Sequence, residues 1–306
     1  MTDVKNEQYI LVTGGAGFIG SHTIDILIKN GFKVISVDCR EAEYKNEKAL
    51  YFTCDINSPE FDTIFEKYSI SKIIHLAAQV SVSYSIKNPI EDAQNNIMAS
   101  IKVIELAKKY NVEQVIVSST AAIYAAPKYL PVDEKHITSY LSPYAISKHA
   151  MEEYLKVSGL NYVICRFSNV FGPRQSADGE AGVVAIFADR MSKNLPIQIH
   201  GDGEQIRDFV YVEDVVSAIL LIIQSNLKNE IFNVSSNTRS TVNDLYRILK
   251  SLLNYSIKAE YTSPREGDIR ESVLDNTKIK NALGFECKTD FASGLAKVVE
   301  QYYSRV

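Results

Sequence analysis

The sequence predicts an α/β fold, a doubly wound parallel sheet with a smaller and less regular α/β part after it. Three observations support this prediction. Short runs rich in β-branched residues alternate with amphipathic stretches of helical length, and these apolar runs lack the strict alternation of a sheet with one solvated face. The chain has 306 residues and is 46% hydrophobic, which is enough for one or two packed domains.

The first half of the chain reads as strand and helix in turn. Strands are predicted at five β-branched runs: Tyr9–Thr13, Lys33–Val37, Lys72–His75, Gln114–Ser118 and Tyr162–Arg166. Helices are predicted at the amphipathic stretches between them: Phe18–Asn30, Pro59–Tyr68, Pro89–Tyr110 and Pro143–Val157.

The second half is less regular, with glycine-marked loops near 172, 179 and 182. Helices are predicted at Val183–Lys193, Val212–Ser225, Thr241–Leu253 and Asp290–Tyr303, and strands at Ile197–His200, Glu230–Val234 and Ile257–Tyr261. We expect two domains, one of residues 1–168 plus about 207–234, and one of about 169–206 plus 235–306.

Composition excludes several classes of function. A net charge of -4 with mixed signs gives no general attraction to nucleic acid or to a membrane, and no apolar run approaches the roughly 20 residues of a membrane span. The four cysteines are scattered without a CxxC pair, so neither a disulfide framework nor a metal site is expected. The polar start of the chain does not resemble a signal peptide, and a cytoplasmic location is therefore expected.

A glycine-rich turn joins the first predicted strand to the first predicted helix. Glycines at this spacing allow backbone N–H groups to approach a pyrophosphate, with the positive end of a helix behind them. Because the turn lies between a strand and a helix, it predicts a Rossmann-type dinucleotide site. The residues of this site are Gly14, Gly17, Phe18, Ile19 and Gly20.

Asp38 ends the second predicted strand, eighteen residues after Gly20. A carboxylate at this place can accept hydrogen bonds from the ribose hydroxyls of adenosine and would repel a 2′-phosphate, which favours NAD over NADP. The nearby Arg40 weakens this preference.

The GxxGxxG spacing resembles that of extended short-chain dehydrogenases/reductases, specifically the nucleotide-sugar epimerases and dehydratases. The resemblance covers nearly the whole chain and adds further cofactor contacts after the family's third and fourth strands and at the end of its fifth, together with an asparagine that is structural in the family. These residues are Asp55, Ile56, Leu76, Ala77, Ala78, Asn95 and Ser118.

The same resemblance makes Thr120, Tyr144 and Lys148 the catalytic residues, with Tyr144 and Lys148 also contacting the cofactor. Residues four apart share one face of a helix, so Lys148 is expected beside Tyr144. A free tyrosine has a pKa of about 10 and is a poor base at neutral pH. We expect the Lys148 ammonium and the positive nicotinamide ring to lower the pKa of Tyr144, so that it can remove a proton.

The residues after Thr120 distinguish branches of the family. Sugar 4,6-dehydratases carry an Asp-Glu pair there, whereas Ala121 and Ala122 have no titratable group. The resemblance therefore implies 4-epimerisation of a UDP-hexose through a 4-keto sugar, as in the UDP-glucose/UDP-galactose pair. Two alternatives stay open: another nucleotide-sugar oxidoreductase such as a 4-reductase or dehydratase, and a non-catalytic NAD-binding protein. Ala125 departs from the family, which usually has glycine there.

The second half resembles the family's clamp for the substrate diphosphate and nucleobase. Arginine suits such a clamp because its planar group binds phosphate oxygens in pairs, although each arginine could instead form a surface ion pair. A small residue at 272 leaves room for an acetamido group, which implies activity on UDP-GlcNAc and UDP-GalNAc as well. With Thr120, the implied substrate contacts are Asn169, Val183, Gln198, His200, Arg207, Arg265, Asp268 and Ser272.

The resemblance also implies a homodimer, through the helices predicted at Pro89–Tyr110 and Pro143–Val157. The apolar residues expected to contribute are Ile101, Ile104, Leu106, Tyr154 and Leu155, all of which could also pack on the sheet.

Overall fold

A computed structural model of the chain describes residues 7–177, 182–264 and 269–303. Its main element is a seven-stranded sheet, and the four strand pairs at its centre and at one edge are all parallel. The strands are β1 Gln8–Thr13, β2 Val34–Asp38, β3 Leu50–Thr53, β4 Ser69–His75, β5 Gln114–Thr120, β6 Tyr162–Phe167 and β11 Glu230–Val234. Their order across the sheet is β11-β6-β5-β4-β1-β2-β3.

This order confirms the predicted doubly wound sheet. The chain moves from β1 outward to β3 and then returns to β4 on the other side of β1, so the strand order reverses between β1 and β4. Ligands of such sheets bind at the carboxyl ends of the strands beside this reversal. Thr13 and His75, which end β1 and β4, lie opposite each other in the ladder.

Helices cover the sheet and bury one apolar core against it. Leu11, Ile35, Ile73 and Val115 from four strands belong to this core, together with Phe61 of a helix. The helices are α1 Phe18–Lys29, α2 Pro59–Lys67, α3 Val82–Lys87, α4 Pro89–Ala93, α5 Ala99–Lys109 and α6 Pro143–Lys156. Except for α3, which the sequence did not predict, they confirm the predicted segments, although the helix predicted at Pro89–Tyr110 contains a π-helical turn, Gln94–Met98, between α4 and α5.

The remaining elements are shorter. The strands are β7 Asn169–Phe171, β8 Gln198–His200, β9 Ile206–Arg207, β10 Phe209–Tyr211, β12 Ser240–Thr241, β13 Glu260–Thr262 and β14 Glu271–Ser272. The helices are α7 Val183–Ser192, α8 Val212–Gln224, α9 Val242–Leu252, α10 Thr277–Leu283 and α11 Phe291–Tyr303.

The strand predicted at Ile257–Tyr261 is wrong at its start, because β13 begins only at Glu260. The Tyr246 hydroxyl donates to the Ile257 carbonyl at 3.1 Å and accepts from the Ala259 N–H at 3.2 Å. These bonds satisfy the backbone before β13, so the ladder with β8 begins at Glu260, opposite Gln198.

Two compact units account for the described chain. The first consists of the described parts of Met1–Ile123, Ser142–Arg166 and Val216–Phe232, and the second of the described parts of Tyr124–Leu141, Phe167–Val215 and Asn233–Val306. Among the helices of the described residues, none has the length and apolarity that crossing a membrane requires.

Candidate active site

The glycine turn between β1 and α1 is closed so tightly that side chains do not fit. Gly14 has a left-handed φ of 70°, and a Cβ on it would lie 2.6 Å from the Ala77 nitrogen. A Cβ on Gly20 would lie 2.0 Å from the Gly14 carbonyl oxygen. Gly17 is the N-cap of α1 and has no side chain to bond the first N–H groups of the helix. These N–H groups and the positive end of α1 fit a pyrophosphate.

Asp38 lies at the end of β2, next to this turn. Its Oδ2 accepts a hydrogen bond from the Ala16 N–H at 3.0 Å, and its Oδ1 accepts from the Arg40 N–H at 3.3 Å. The exposed Arg40 guanidinium is 3.9 Å from Oδ1, at the outer limit of an ion pair. The carboxylate is therefore fixed beside the glycine turn, where the ribose of a dinucleotide would meet it.

The segment after β4 is anchored by a buried chain of hydrogen bonds that sequence reasoning did not find. The His75 Nδ1 is 2.7 Å from the Thr13 hydroxyl, and its Nε2 is 3.0 Å from the Ser100 hydroxyl, which donates to the Asn96 carbonyl at 2.5 Å. Since Ser100 uses its proton there, His75 donates from Nε2 and accepts at Nδ1. Burial and, to a smaller extent, the Lys148 charge lower the pKa of His75 to about 3, so the ring stays neutral.

The other predicted cofactor residues occupy the same edge of the sheet. The Leu76 and Ala77 N–H groups donate to the Thr13 carbonyl and hydroxyl, at 3.1 and 3.4 Å. Ser118 near the end of β5 is 3.4 Å from the His75 carbonyl. Three of the predicted cofactor residues are half-buried: Phe18, Ile19 and Ala78. Asp55 is exposed and accepts a hydrogen bond from the Asn57 N–H, whereas Ile56 is buried in the core.

Helix α6 positions Tyr144 and Lys148. Pro143 occupies its first turn, and the hydroxyl of Ser142, the N-cap, accepts from the Ala145 N–H at 3.2 Å. Tyr144 and Lys148 are one turn apart, and the Tyr144 oxygen is hydrogen-bonded to the Thr120 hydroxyl at the end of β5. The structure therefore brings the three predicted catalytic side chains together within the first unit.

Burial shifts the pKa values of Tyr144 and Lys148 in opposite directions. Burial raises the pKa of Tyr144 to about 12; the hydrogen bond from Thr120 lowers it, and the Asp92 charge raises it. Burial lowers the pKa of Lys148 to about 8, whereas the Glu152 and Asp92 charges raise it. The lowering of the Tyr144 pKa by Lys148 and the nicotinamide ring together stays a prediction, and desolvation of the phenolate acts in the opposite direction in the chain by itself.

Asn96, not Asn95, is the buried asparagine of the π turn. Its Oδ1 accepts from the Gln79 N–H at 2.8 Å, and its Nδ2 donates to the Gln79 carbonyl at 3.0 Å and to the Ser147 hydroxyl at 3.0 Å. Asn95 is only half-buried. The role of Asn95 as the family's structural asparagine stays a prediction, and Asn96 is the one that the π turn directs toward α6.

A second buried network ties α6 to two strands. Arg166 of β6 binds the Glu152 carboxylate with two hydrogen bonds, at 3.0 and 2.6 Å, and the Ser119 hydroxyl donates to the same carboxylate at 2.5 Å. Arg166 and Glu152 are both buried. Because Ser119 precedes Thr120 and Glu152 follows Lys148 by one turn, this network fixes the catalytic side chains relative to one another.

Apart from Thr120, the predicted substrate residues that the structure describes belong to the second unit. Arg207 of β9 and Ser272 of β14 are neighbours in a parallel ladder, and the Arg207 guanidinium donates to the Ile206 and Ile269 carbonyls at 2.9 and 2.7 Å. His200 of β8 is 2.9 Å from the Thr262 hydroxyl.

The remaining predicted substrate residues are more dispersed. Gln198 is exposed and donates to Glu260, Asn169 begins β7, and Val183 begins α7. Arg265 and Asp268 lie outside the described residues.

The segment after Thr120 is a 3₁₀ turn, Ala121–Tyr124, and the Ala122 N–H donates to the Thr120 hydroxyl at 3.1 Å. Ala125, which follows this turn, has a left-handed φ of 44°. This conformation is the physical reason why glycine suits the position. In the described part of the chain, no three His, Cys, Asp or Glu side chains are grouped to hold a metal ion.

Comparisons with known proteins find similar sequences and structures over nearly the whole chain. A UDP-glucose 4-epimerase of Thermotoga maritima, solved with UDP-glucose, has a TM-score of 0.92 and 44% identity, and the match covers 97% of this chain and 99% of that one. A UDP-N-acetylglucosamine 4-epimerase of Methanobrevibacter ruminantium, solved with UDP-N-acetylmuramic acid, has a TM-score of 0.90 and 33% identity over 98% of this chain and 99% of that one. The UDP-glucose 4-epimerase of Mycolicibacterium smegmatis is 34% identical, over 96% of this chain and 98% of that protein.

The sequence profile of the NAD dependent epimerase/dehydratase family matches residues 10–235, which include the glycine turn, the Tyr144–Lys148 helix and Arg207. Since the match extends over well more than half of the chain, the chain belongs to the NAD dependent epimerase/dehydratase family.

Proposed function

We propose that the chain is an NAD-dependent 4-epimerase of UDP-hexoses. The observation that carries this proposal is the grouping of Thr120, Tyr144 and Lys148, followed by Ala121 and Ala122, which cannot transfer protons. Membership of the family supplies NAD as the cofactor. The epimerases to which the chain is similar over almost its full length support the same reaction class.

The chain's own residues would hold and move one proton. The Tyr144 oxygen takes the proton of the sugar 4-hydroxyl as that carbon becomes a ketone, and returns it when the hydroxyl re-forms. The Thr120 hydroxyl holds the reacting oxygen beside Tyr144, and the Lys148 ammonium favours the phenolate. Bound NAD supplies the hydride acceptor at C4 and, in its oxidised form, a positive charge that offsets the raised pKa of Tyr144.

The decisive experiment uses the purified protein without added nicotinamide. An epimerase interconverts UDP-glucose and UDP-galactose under these conditions, because the net redox change is zero. A nucleotide-sugar 4-reductase would stop without a stoichiometric cofactor supply, and a dehydratase would release a dehydrated sugar. Either outcome would overturn the proposal.

The matched variants are Tyr144→Phe and Tyr154→Phe, both on α6. We expect Tyr144→Phe to lose about 10²- to 10⁴-fold in turnover, the usual contribution of a positioned acid or base. Tyr154, whose side chain is exposed, should be replaced without loss. Full turnover by Tyr144→Phe would show that Tyr144 does not carry the reaction, and no turnover by the parent protein would favour the alternative of a non-catalytic NAD-binding protein.

The sugar range is proposed from Ser272. A serine at this place, beside Arg207 in the ladder, is small enough to leave room for an acetamido group at the sugar 2-position. The N-acetylglucosamine epimerase to which the chain is similar supports this extension. Assays with both UDP-GlcNAc and UDP-Glc test it, and acceptance of UDP-Glc alone would contradict it.

The homodimer and the cytoplasmic location remain predictions. Of the residues expected at the dimer interface, Ile104, Leu106 and Leu155 are instead buried within the unit, because they pack on the sheet. The large apolar side chains that α4, the π turn and α6 do expose are Ile90, Met98, Ile146 and Tyr154, at 76, 54, 52 and 48%. Light scattering with a Met98→Glu variant tests whether these four form the interface.

A further inference from the structure

Four buried groups of the first unit carry the charges around Tyr144. Lys148 and Glu152 lie on α6, Arg166 on β6 and Asp92 on α4, and each is at most 4% exposed. The Glu152 charge is already balanced, because Arg166 binds it with two hydrogen bonds. Among the described residues neither Asp92 nor Lys148 forms an ion pair. A buried charge without compensation is costly, so the Asp92 carboxylate and the Lys148 ammonium have to be considered as a pair.

Asp92 is held in place by uncharged groups. Its Oδ1 accepts from the Gln79 side-chain amide at 2.9 Å and from the Asn96 amide at 3.1 Å. Asn96 also donates to the Ser147 hydroxyl, and Ser147 donates to the Tyr144 carbonyl at 3.0 Å. The carboxylate is thus fixed relative to the turn of α6 that carries Tyr144 and Lys148.

We propose that Asp92 is the buried counter-charge of Lys148, and that it sets the pH range in which the Tyr144–Lys148 pair is correctly ionised. Asp92 acts through space and through these hydrogen bonds, so it is a positioning residue and not a catalytic one. The inference deepens the proposed function and depends on it only where turnover is measured.

The surroundings of the pair leave Asp92 as its main unbalanced neighbour. From β4 the neighbouring titratable group is His75, which is neutral, and β5 contributes the Thr120 hydroxyl. From α3, the Ser85 hydroxyl accepts from the Tyr144 N–H at 3.1 Å. Glu152 follows on α6 itself and is paired with Arg166 of β6.

The sign of the effect follows from the charge. A carboxylate favours the ammonium of Lys148 and disfavours the phenolate of Tyr144, and it raises the pKa of both groups. Removing it would lower both, so Lys148 would lose its proton nearer neutral pH and Tyr144 would ionise more easily. Both limbs of the pH–rate profile would then move to lower pH.

The test is a pH titration of Lys148 by NMR, in protein labelled with ¹³C at the lysine ε-carbons. The Lys148 resonance is the one that is absent from a Lys148→Arg variant. In Asp92→Asn we expect Lys148 to titrate about one pH unit lower than in the parent protein. Glu91→Gln is the matched control, since Glu91 lies in the same helical turn but is exposed and accepts from the Tyr84 hydroxyl. Its Lys148 titration should be unchanged.

An unchanged midpoint in Asp92→Asn, or an equal shift in Glu91→Gln, would overturn the proposal. Asp92→Ser removes the same charge with a smaller side chain, and serves if the asparagine variant does not fold. If Asp92 had a merely structural role, its replacement would lower thermal stability and turnover. It would not move the Lys148 titration or the two limbs of the pH–rate profile. Because the NMR titration needs no turnover, it tests Asp92 even if the protein proves not to be an epimerase.

Discussion

The buried pair of Arg166 and Glu152 makes a prediction that can be tested without any substrate. In Arg166→Met, the Glu152 carboxylate keeps its hydrogen bond from Ser119 but loses both bonds from the guanidinium, in a site that water does not reach. Removing one partner of a buried ion pair typically costs about 3–5 kcal/mol. Since folded domains have a total stability of about 5–15 kcal/mol, this loss should be obvious in equilibrium urea unfolding followed by circular dichroism.

Glu153→Gln is the control for this prediction. Glu153 is the next residue on α6 and pairs with Lys156 at 2.6 Å, but its side chain is 52% exposed. Exposed pairs contribute about 0–1 kcal/mol, so this variant should unfold almost like the parent protein. The double variant Arg166→Met/Glu152→Leu should recover much of the loss, because the uncompensated charge is gone. A loss below about 1 kcal/mol in Arg166→Met, or no recovery in the double variant, would refute the reasoning.

Three further predictions concern the turn, the lysine and the strained alanine. Gly20→Ala would place a Cβ 2.0 Å from the Gly14 carbonyl oxygen, so the variant should no longer retain NAD through gel filtration. The retained NAD is measured by its absorbance after the protein is denatured. Full retention would contradict the assignment of this turn to the cofactor. Because burial lowers the pKa of Lys148 from 10.5 to about 8, the unfolded state binds more protons between these values. The free energy of unfolding should therefore gain a contribution as pH rises from 8 to 10.5, and Lys148→Met should lack it in urea titrations. Ala125→Gly relieves a left-handed φ of 44°, and should change the unfolding free energy by about 0 to +1 kcal/mol, since the flexible unfolded chain offsets part of the gain. A clearly lower melting temperature of Ala125→Gly would show that the Ala125 methyl group is needed for stability.

The parts of the fold that the sequence predicts well are those with many repeats of a local pattern. Strands β1, β2, β4, β5 and β6 are buried on both faces and therefore consist of continuous apolar runs. The third strand, β3, lies at the sheet edge with both of its end residues exposed, so its pattern is weak. The two- and three-residue strands of the second unit are set by tertiary pairing, which leaves no local signal.

The candidate site likewise contains features with a local sequence signal and features without one. The glycine turn and the Tyr144–Lys148 spacing are local, and the sequence indicates both directly. The charges that tune them are not local: Glu152 and Arg166 are 14 residues apart, and Asp92 is more than 50 residues before Lys148. Their pairing depends on how the helices pack, and so does the pKa of Tyr144, which burial raises.

The π turn at Gln94–Met98 also constrains how this chain can vary in length. An α-helix advances 100° per residue, and a π turn accommodates one extra residue without breaking the helix. Deleting a single residue there would restore ordinary winding, and Asn96 or Asp92 would then rotate away from Ser147 by about a quarter of a circle. The segment should therefore tolerate substitutions at its exposed positions far better than any change in residue count, and natural insertions or deletions should avoid it.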